Sequence, residues 1–134
     1  MRYFHNFYAQ IHLHDKLGII VGFDFGAQQK SKASSDYNTW YSPVIIAKYS
    51  VTDKFNLAVR GEYYNDEHGV IINTGTTHGF QTYGYSLNLD YVVAENTMWR
   101  IEGKAFTSKD TIFTLDNKPN NSNYTITSSL AISF

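Results

Sequence analysis

Eight charged residues lie within alternating stretches of the chain: Asp24, Lys48, Arg60, Glu62, Asp90, Arg100, Glu102 and Lys104. Four are acidic and four are basic. Arg60 and Glu62 are two positions apart, as are successive members of Arg100, Glu102 and Lys104. Residues i and i+2 of an extended strand share a face, so each set points one way. Neighbouring strands lie about 4.8 Å apart, and opposite charges on adjacent strands can pair across the ladder. Such a lattice can line a watery passage and set its ion or solute selectivity. It can also simply brace a wall with salt bridges. The balance of signs argues against a strong preference for anions or cations.

Other chemistry finds little support. His12 and His14 form an H-x-H pair on one strand face, but no third metal ligand is evident and cysteine is absent. His68 and His78 sit in a polar, glycine-containing stretch and are expected in solvent. Glu62 or Glu102 with a histidine could in principle be catalytic, as in lipid-modifying barrels. However, no Gly-x-Ser-x-Gly elbow occurs. The Gly69–Gly79 stretch lacks the Lys-Ser/Thr of a phosphate loop. Asn123-Tyr-Thr125 matches a glycosylation sequon, which carries little weight. No catalytic, cofactor-binding or metal-binding residue is expected.

The elements that carry these charges are strands. Residues 124–134 alternate: Tyr124, Ile126, Leu130, Ile132 and Phe134 on one face, threonine, serine and alanine on the other. One face requires an apolar medium and the other tolerates water. About ten such residues, tilted, cross a bilayer. The pattern recurs over roughly 3–13, 17–28, 40–51, 55–65, 80–93 and 97–107, giving seven strands in one domain, 1–134. Three linkers are short (His14–Lys16, Thr52–Lys54, Ala94–Asn96) and three are long (29–39, 66–79, 108–123), in strict alternation. An antiparallel up-and-down meander with short turns at one end and long loops at the other is the signature of an outer-membrane β-barrel. The long loops are expected to gate the passage or fold inward.

The face assignments agree. In the fifth strand Tyr83, Tyr85, Leu87, Leu89 and Tyr91 oppose Thr82, Gly84, Ser86, Asn88 and Asp90. Every charge within the second to sixth strands falls on the polar face. The expected lumen lining is Asp24, Lys48, Arg60, Glu62, Asn88, Asp90, Arg100, Glu102 and Lys104. Aromatics on the apolar face sort by depth into two girdles around an aliphatic band. Phe25, Tyr41, Tyr63, Tyr83 and Tyr124 lie near the long loops, and Tyr49, Phe55, Tyr91, Trp99 and Phe134 near the short turns. His5 and Pro43 fit less well. His5 shares the apolar parity, and Pro43 lacks an amide donor and so requires a bulge or a strand end.

Composition is compatible with this reading. Aromatics make up 16% of residues, with eleven tyrosines suited to a membrane–water boundary. The negative mean hydropathy is what alternating strands produce. No run of eighteen apolar residues is present, so no transmembrane helix is expected. A net charge of −1 without a basic run gives no case for nucleic acid. Single-chain bacterial barrels have even strand numbers, and no signal peptide is visible at Met1, so seven strands suggest the C-terminal part of a larger barrel or an eight-stranded barrel lacking its first strand. The plainer account is a miscount, with Val70-Ile71-Ile72 hiding another strand.

Several segments resemble the OmpL-like β-barrel porins. They are Trp40–Tyr49, Arg60–Asp66, Gly79–Ser86 onward to Asp90-Tyr91, Trp99–Gly103 and Ser129–Phe134. The resemblance covers nearly the whole chain and looks like the C-terminal portion of such proteins. It implies a pore without naming a solute. A terminal phenylalanine after alternating apolar residues also resembles the signal read by the barrel assembly machinery. The expected partners are therefore the lipid bilayer, that machinery and small hydrophilic solutes diffusing passively, with no cofactor and no catalysis. Two alternatives remain. One is a soluble lipocalin-like barrel with its apolar face inward around a ligand; the other is a non-conducting structural or adhesive barrel.

Overall fold

The computed structural model describes residues 1–32 and 34–134. Seven long strands follow one another: β1 (Arg2–His14), β2 (Leu17–Gln29), β3 (Tyr37–Ser50), β4 (Phe55–Asp66), β5 (Phe80–Ala94), β6 (Thr97–Ser108) and β9 (Ser122–Ile132). Two three-residue strands, β7 (Phe113–Leu115) and β8 (Lys118–Asn120), form a separate hairpin between β6 and β9. The long strands make one antiparallel sheet in the order β1-β2-β3-β4-β5-β6-β9. Among the described residues no helix forms. β1 pairs only with β2 and β9 only with β6, so the sheet is open along both edges.

Local sequence accounts for the strands and their register. β-branched and aromatic residues alternate with small polar ones, and such residues fit a pleated surface half exposed to an apolar medium. The register runs unbroken except for shifts at His12/His14 and Val92/Ala94, both beside short turns. The three short turns also brace their neighbours. The carbonyls of Lys16, Lys54 and Asn96 accept hydrogen bonds from the amides of Ser50, Val92 and Ser133 at 2.8, 2.8 and 2.9 Å.

Two loops and Pro43 differ from expectation, and one alternative reading is removed. β3 begins at Tyr37, three residues before Trp40, so the first long loop is shorter than 29–39. Pro43 causes neither a bulge nor a strand end. β3 runs straight through it; Phe23 of β2 faces it, and the ladder to β4 passes from Tyr41↔Asn65 to Val44↔Glu62 without a change of register. The missing N–H therefore costs one rung and leaves the geometry intact. The stretch 67–79 holds no strand, which removes the idea of a hidden element at Val70-Ile71-Ile72. The third long loop contains the β7–β8 hairpin, whose two turn residues, Asp116 and Asn117, have φ of 50° and 59°. Positive φ at both central positions is the requirement of a tight hairpin turn, and Asp and Asn tolerate it best after glycine.

The sheet buries its polar face. Along β5, Thr82, Ser86 and Asp90 are 3%, 6% and 6% exposed, while Tyr83, Tyr85 and Leu87 between them are 49%, 54% and 46% exposed. Among the described residues only Trp40 is a buried large hydrophobic side chain, and it too stands on the polar face. A single sheet with no second layer can crowd one face only by curling towards it. Here the crowded side carries the serines, threonines and charges.

Candidate solute-lining face

Parity sends Lys48, Arg60, Glu62, Asp90, Arg100 and their neighbours to one side, and the register stacks them in rows. One row runs Ser50–Asn56–Asp90–Arg100–Ser129 and the next Lys48–Ala58–Asn88–Glu102–Thr127. Above these come Ile46–Arg60–Ser86–Lys104–Thr125 and then Val44–Glu62–Gly84–Phe106–Asn123. Asp24 lies further along, opposite Asn6 and Ser42. All nine residues expected on the polar face are therefore brought to it.

Two ionic groups form within the rows. Asp90 and Arg100 face each other directly, with Nε–Oδ1 at 2.6 Å and Nη2–Oδ2 at 2.7 Å. Two parallel charge-assisted bonds of this kind fix both side chains. Glu62 accepts from Arg60 of its own strand and lies 3.9 Å from Lys104 Nζ across β5. Gly84 makes this bridge possible, since a Cβ there would come within 2.6 Å of Glu62 Oε1. Asp24 takes the amide of Asn6 in place of a cation. Among the described residues Lys48 and Glu102 form no ion pair within 4.0 Å. The lattice is thus partly internal bracing and partly free charge.

The loop end of this face is aromatic, which composition and girdle patterning do not predict. Trp40, Tyr64, Phe80 and Phe106 all point to the polar side. The Trp40 indole lies across Gly26, where a side chain would fall inside the ring, and Arg2 sits 5.6 Å from its centroid. Tyr64 and Phe80 meet edge to face at 5.5 Å. Parity carries the signal, because Trp40 is two residues before Ser42 and Phe106 two after Lys104. An aromatic residue in such a chain points more readily to the lipid boundary, which hides the inward set.

Two loop contacts complete the site. Asp66, wholly buried, accepts the amides of Val70, Ile71 and Ile72 at 2.8, 2.7 and 2.8 Å. His78 gives its backbone N–H to Asp110 Oδ2 at 2.9 Å, and its Nδ1 lies 2.8 Å from Oδ1. These bonds from His78, with a further one from Thr76, hold the Asp110 carboxyl below its ordinary value, at about 2. No motif signals either contact. His78 is tied down although its side chain stays 42% exposed, and its partner lies 32 residues away. His12 and His14 remain apart from any third ligand, and among the described residues no group of three potential metal ligands exists.

The opposite face is apolar and aromatic at both ends. Phe23, Tyr41, Tyr63 and Tyr83 form a continuous belt across β2 to β5, with ring centroids 6.4, 6.1 and 4.5 Å apart. Phe25 stands beside Tyr41, and Tyr124 lies one strand beyond Ala105. At the turn end Phe55, Tyr91 and Trp99 are direct cross-strand neighbours, with Tyr49 facing Leu57 nearby. The Trp99 indole donates to Ser128 Oγ at 2.8 Å. Phe134 follows the end of β9 and is fully exposed. Between the belts lie Val21, Ile45, Val59 and Leu87, each 43% to 52% exposed.

No curated protein and no solved structure matches the chain. The family described as "Putative beta-barrel porin-2, OmpL-like" matches residues 1–134, the whole of this chain. A buried polar face, an exposed apolar face and a seven-stranded meander are what a wall of such a barrel requires, and the chain belongs to this family of OmpL-like β-barrel porins.

Proposed function

We propose that the seven strands form part of the wall of an outer-membrane pore through which small hydrophilic solutes diffuse passively. The observation that carries this reading is the inverted burial: Asp90 is 6% exposed while Leu87 and Val59 are 46% and 50% exposed. In water such an apolar surface is a liability far beyond the few hundred Å² a soluble protein tolerates. Against acyl chains it is the stable arrangement. Lys48, Arg60, Glu62, Asn88, Asp90, Arg100, Glu102, Lys104 and Asp24 would line the passage. The two aromatic belts would sit at the membrane boundaries. A soluble ligand-binding barrel needs the opposite orientation of faces.

Closure follows from backbone chemistry. Unpaired amides and carbonyls along β1 and β9 each cost several kcal/mol in lipid, so the two edges must be closed, by further strands of a larger barrel or against each other. The family points to a non-enzymatic protein, and transport here needs no cofactor. β9 and the two residues after it, ending in Phe134, would engage the barrel assembly machinery. Conductance of the full-length protein in a planar bilayer tests the proposal. Discrete open-channel steps are expected; correctly inserted protein that never conducts would leave a structural or adhesive barrel as the better account.

A further inference from the structure

Asp66 shares the parity of Arg60, Glu62 and Tyr64, so its side chain leaves β4 on the polar side. Its carboxylate nevertheless binds three consecutive amides, those of Val70, Ile71 and Ile72, at 2.7–2.8 Å. Those amides must therefore lie on the polar side as well. The segment 67–79 thus begins by turning back onto the polar side of the end of β4. Gly69 and Gly79, with φ of +60° and +62°, make the two reversals. A side chain at position 79 would collide with the carbonyls of Asp66 and Glu67. The far end of the segment is tied by His78 to Asp110, at the start of the next loop. On the same face Thr82 and Ser108, paired at the loop ends of β5 and β6, are only 3% and 4% exposed.

This anchored segment carries an apolar pair that nothing in the fold uses. Ile71 and Ile72 are 46% and 36% exposed, in a loop whose other members, Val70 apart, are polar residues and glycine. Elsewhere in the sheet, exposed isoleucines belong to the apolar face. We propose that segment 67–79 is the constriction of the passage, held inward by Asp66 and by the His78–Asp110 contact, with Ile71 and Ile72 as its apolar neck. The inference rests on the porin-type reading of the polar face. An apolar neck resists wetting when narrow, so it admits small hydrated solutes and rejects bulky or highly charged ones regardless of sign. That suits a lining whose charges are balanced.

These 134 residues contain no cysteine, and any cysteine elsewhere in the full-length protein is first replaced by serine, so that a single introduced thiol can be modified cleanly. In the full-length protein, Ile71→Cys treated with a water-soluble cationic thiol reagent should lose roughly half or more of its single-channel conductance. Lys32→Cys in the first long loop should lose none. Complete labelling of the Ile71→Cys variant with unchanged conductance would overturn the proposal. Hydrogen exchange in detergent separates this from failure of the pore reading. The amides of Val70, Ile71 and Ile72 should be protected, and Asp66→Asn should release them. If those three amides exchange as fast as the first loop in the unaltered protein, the segment is not anchored and the inference falls, whatever the conductance. Protection without any channel activity would sink the pore, and the neck with it, while retaining the inward loop.

Discussion

The Asp90–Arg100 pair shows how a charge can be held on a crowded face. Asp90 is 6% exposed, and its two bonds to Arg100 replace the water it has lost. Arg100→Ala leaves that carboxylate nearly buried and half satisfied, and should cost about 2 kcal/mol of stability in detergent, measured by denaturant unfolding. Arg100→Lys cannot reproduce the fork and should recover only part of the loss. Asp110 makes a prediction about pH. Its carboxyl is held at about 2, against an ordinary 3.8, so the native contact favours the charged form. The associated stability is complete above about pH 4 and disappears as the pH falls through about 2. The His78 backbone amide should therefore keep its exchange rate from neutral pH down to about 4 and lose protection progressively as the pH falls towards 2, once the rates are corrected for intrinsic chemistry. In Asp110→Asn that acid transition should vanish. The two contacts differ in how far they can be foreseen: Arg100 and Asp90 stand on adjacent alternating strands, whereas His78 and Asp110 meet only because two irregular loops converge.

At the level of elements, strand periodicity is legible wherever it lasts. β5 alternates tyrosine and leucine with small polar residues from Thr82 to Tyr91, and every side chain falls where parity sends it. Short pieces are not legible. Three-residue strands such as β7 and β8 are too brief to show a period, and only Asp116-Asn117 between them carries turn chemistry. Pro43 misleads in the opposite direction, since one lost rung does not bend a strand fixed on its other side by β2. The faces themselves can be tested. Val59→Arg places a cation between the aromatic belts and should destabilise the membrane-inserted form by about 2–4 kcal/mol, read as a shift in unfolding from lipid vesicles. Gly26→Ala tests the polar face, because the new methyl group meets the Trp40 ring. It should cost about 1–3 kcal/mol and alter the tryptophan emission.

For the whole molecule, the polar face adds Arg2 and Asp66 to the eight charges apparent from strand patterning, giving five of each sign. This part of the lining should therefore add no net ion preference to the pore. Lys48 forms no ion pair within 4.0 Å among the described residues, so Lys48→Glu should leave the fold intact and move the reversal potential towards cation preference. The meander has a kinetic side as well. Each long strand is hydrogen-bonded only to its neighbours in the running order, and the three short turns stitch each hairpin to the next. Little chain entropy is lost at any one step, because no rung waits for a distant segment to arrive. Such a sheet can grow like a zipper, one hairpin templating its successor, and a polypeptide delivered progressively to a bilayer can order itself as it arrives.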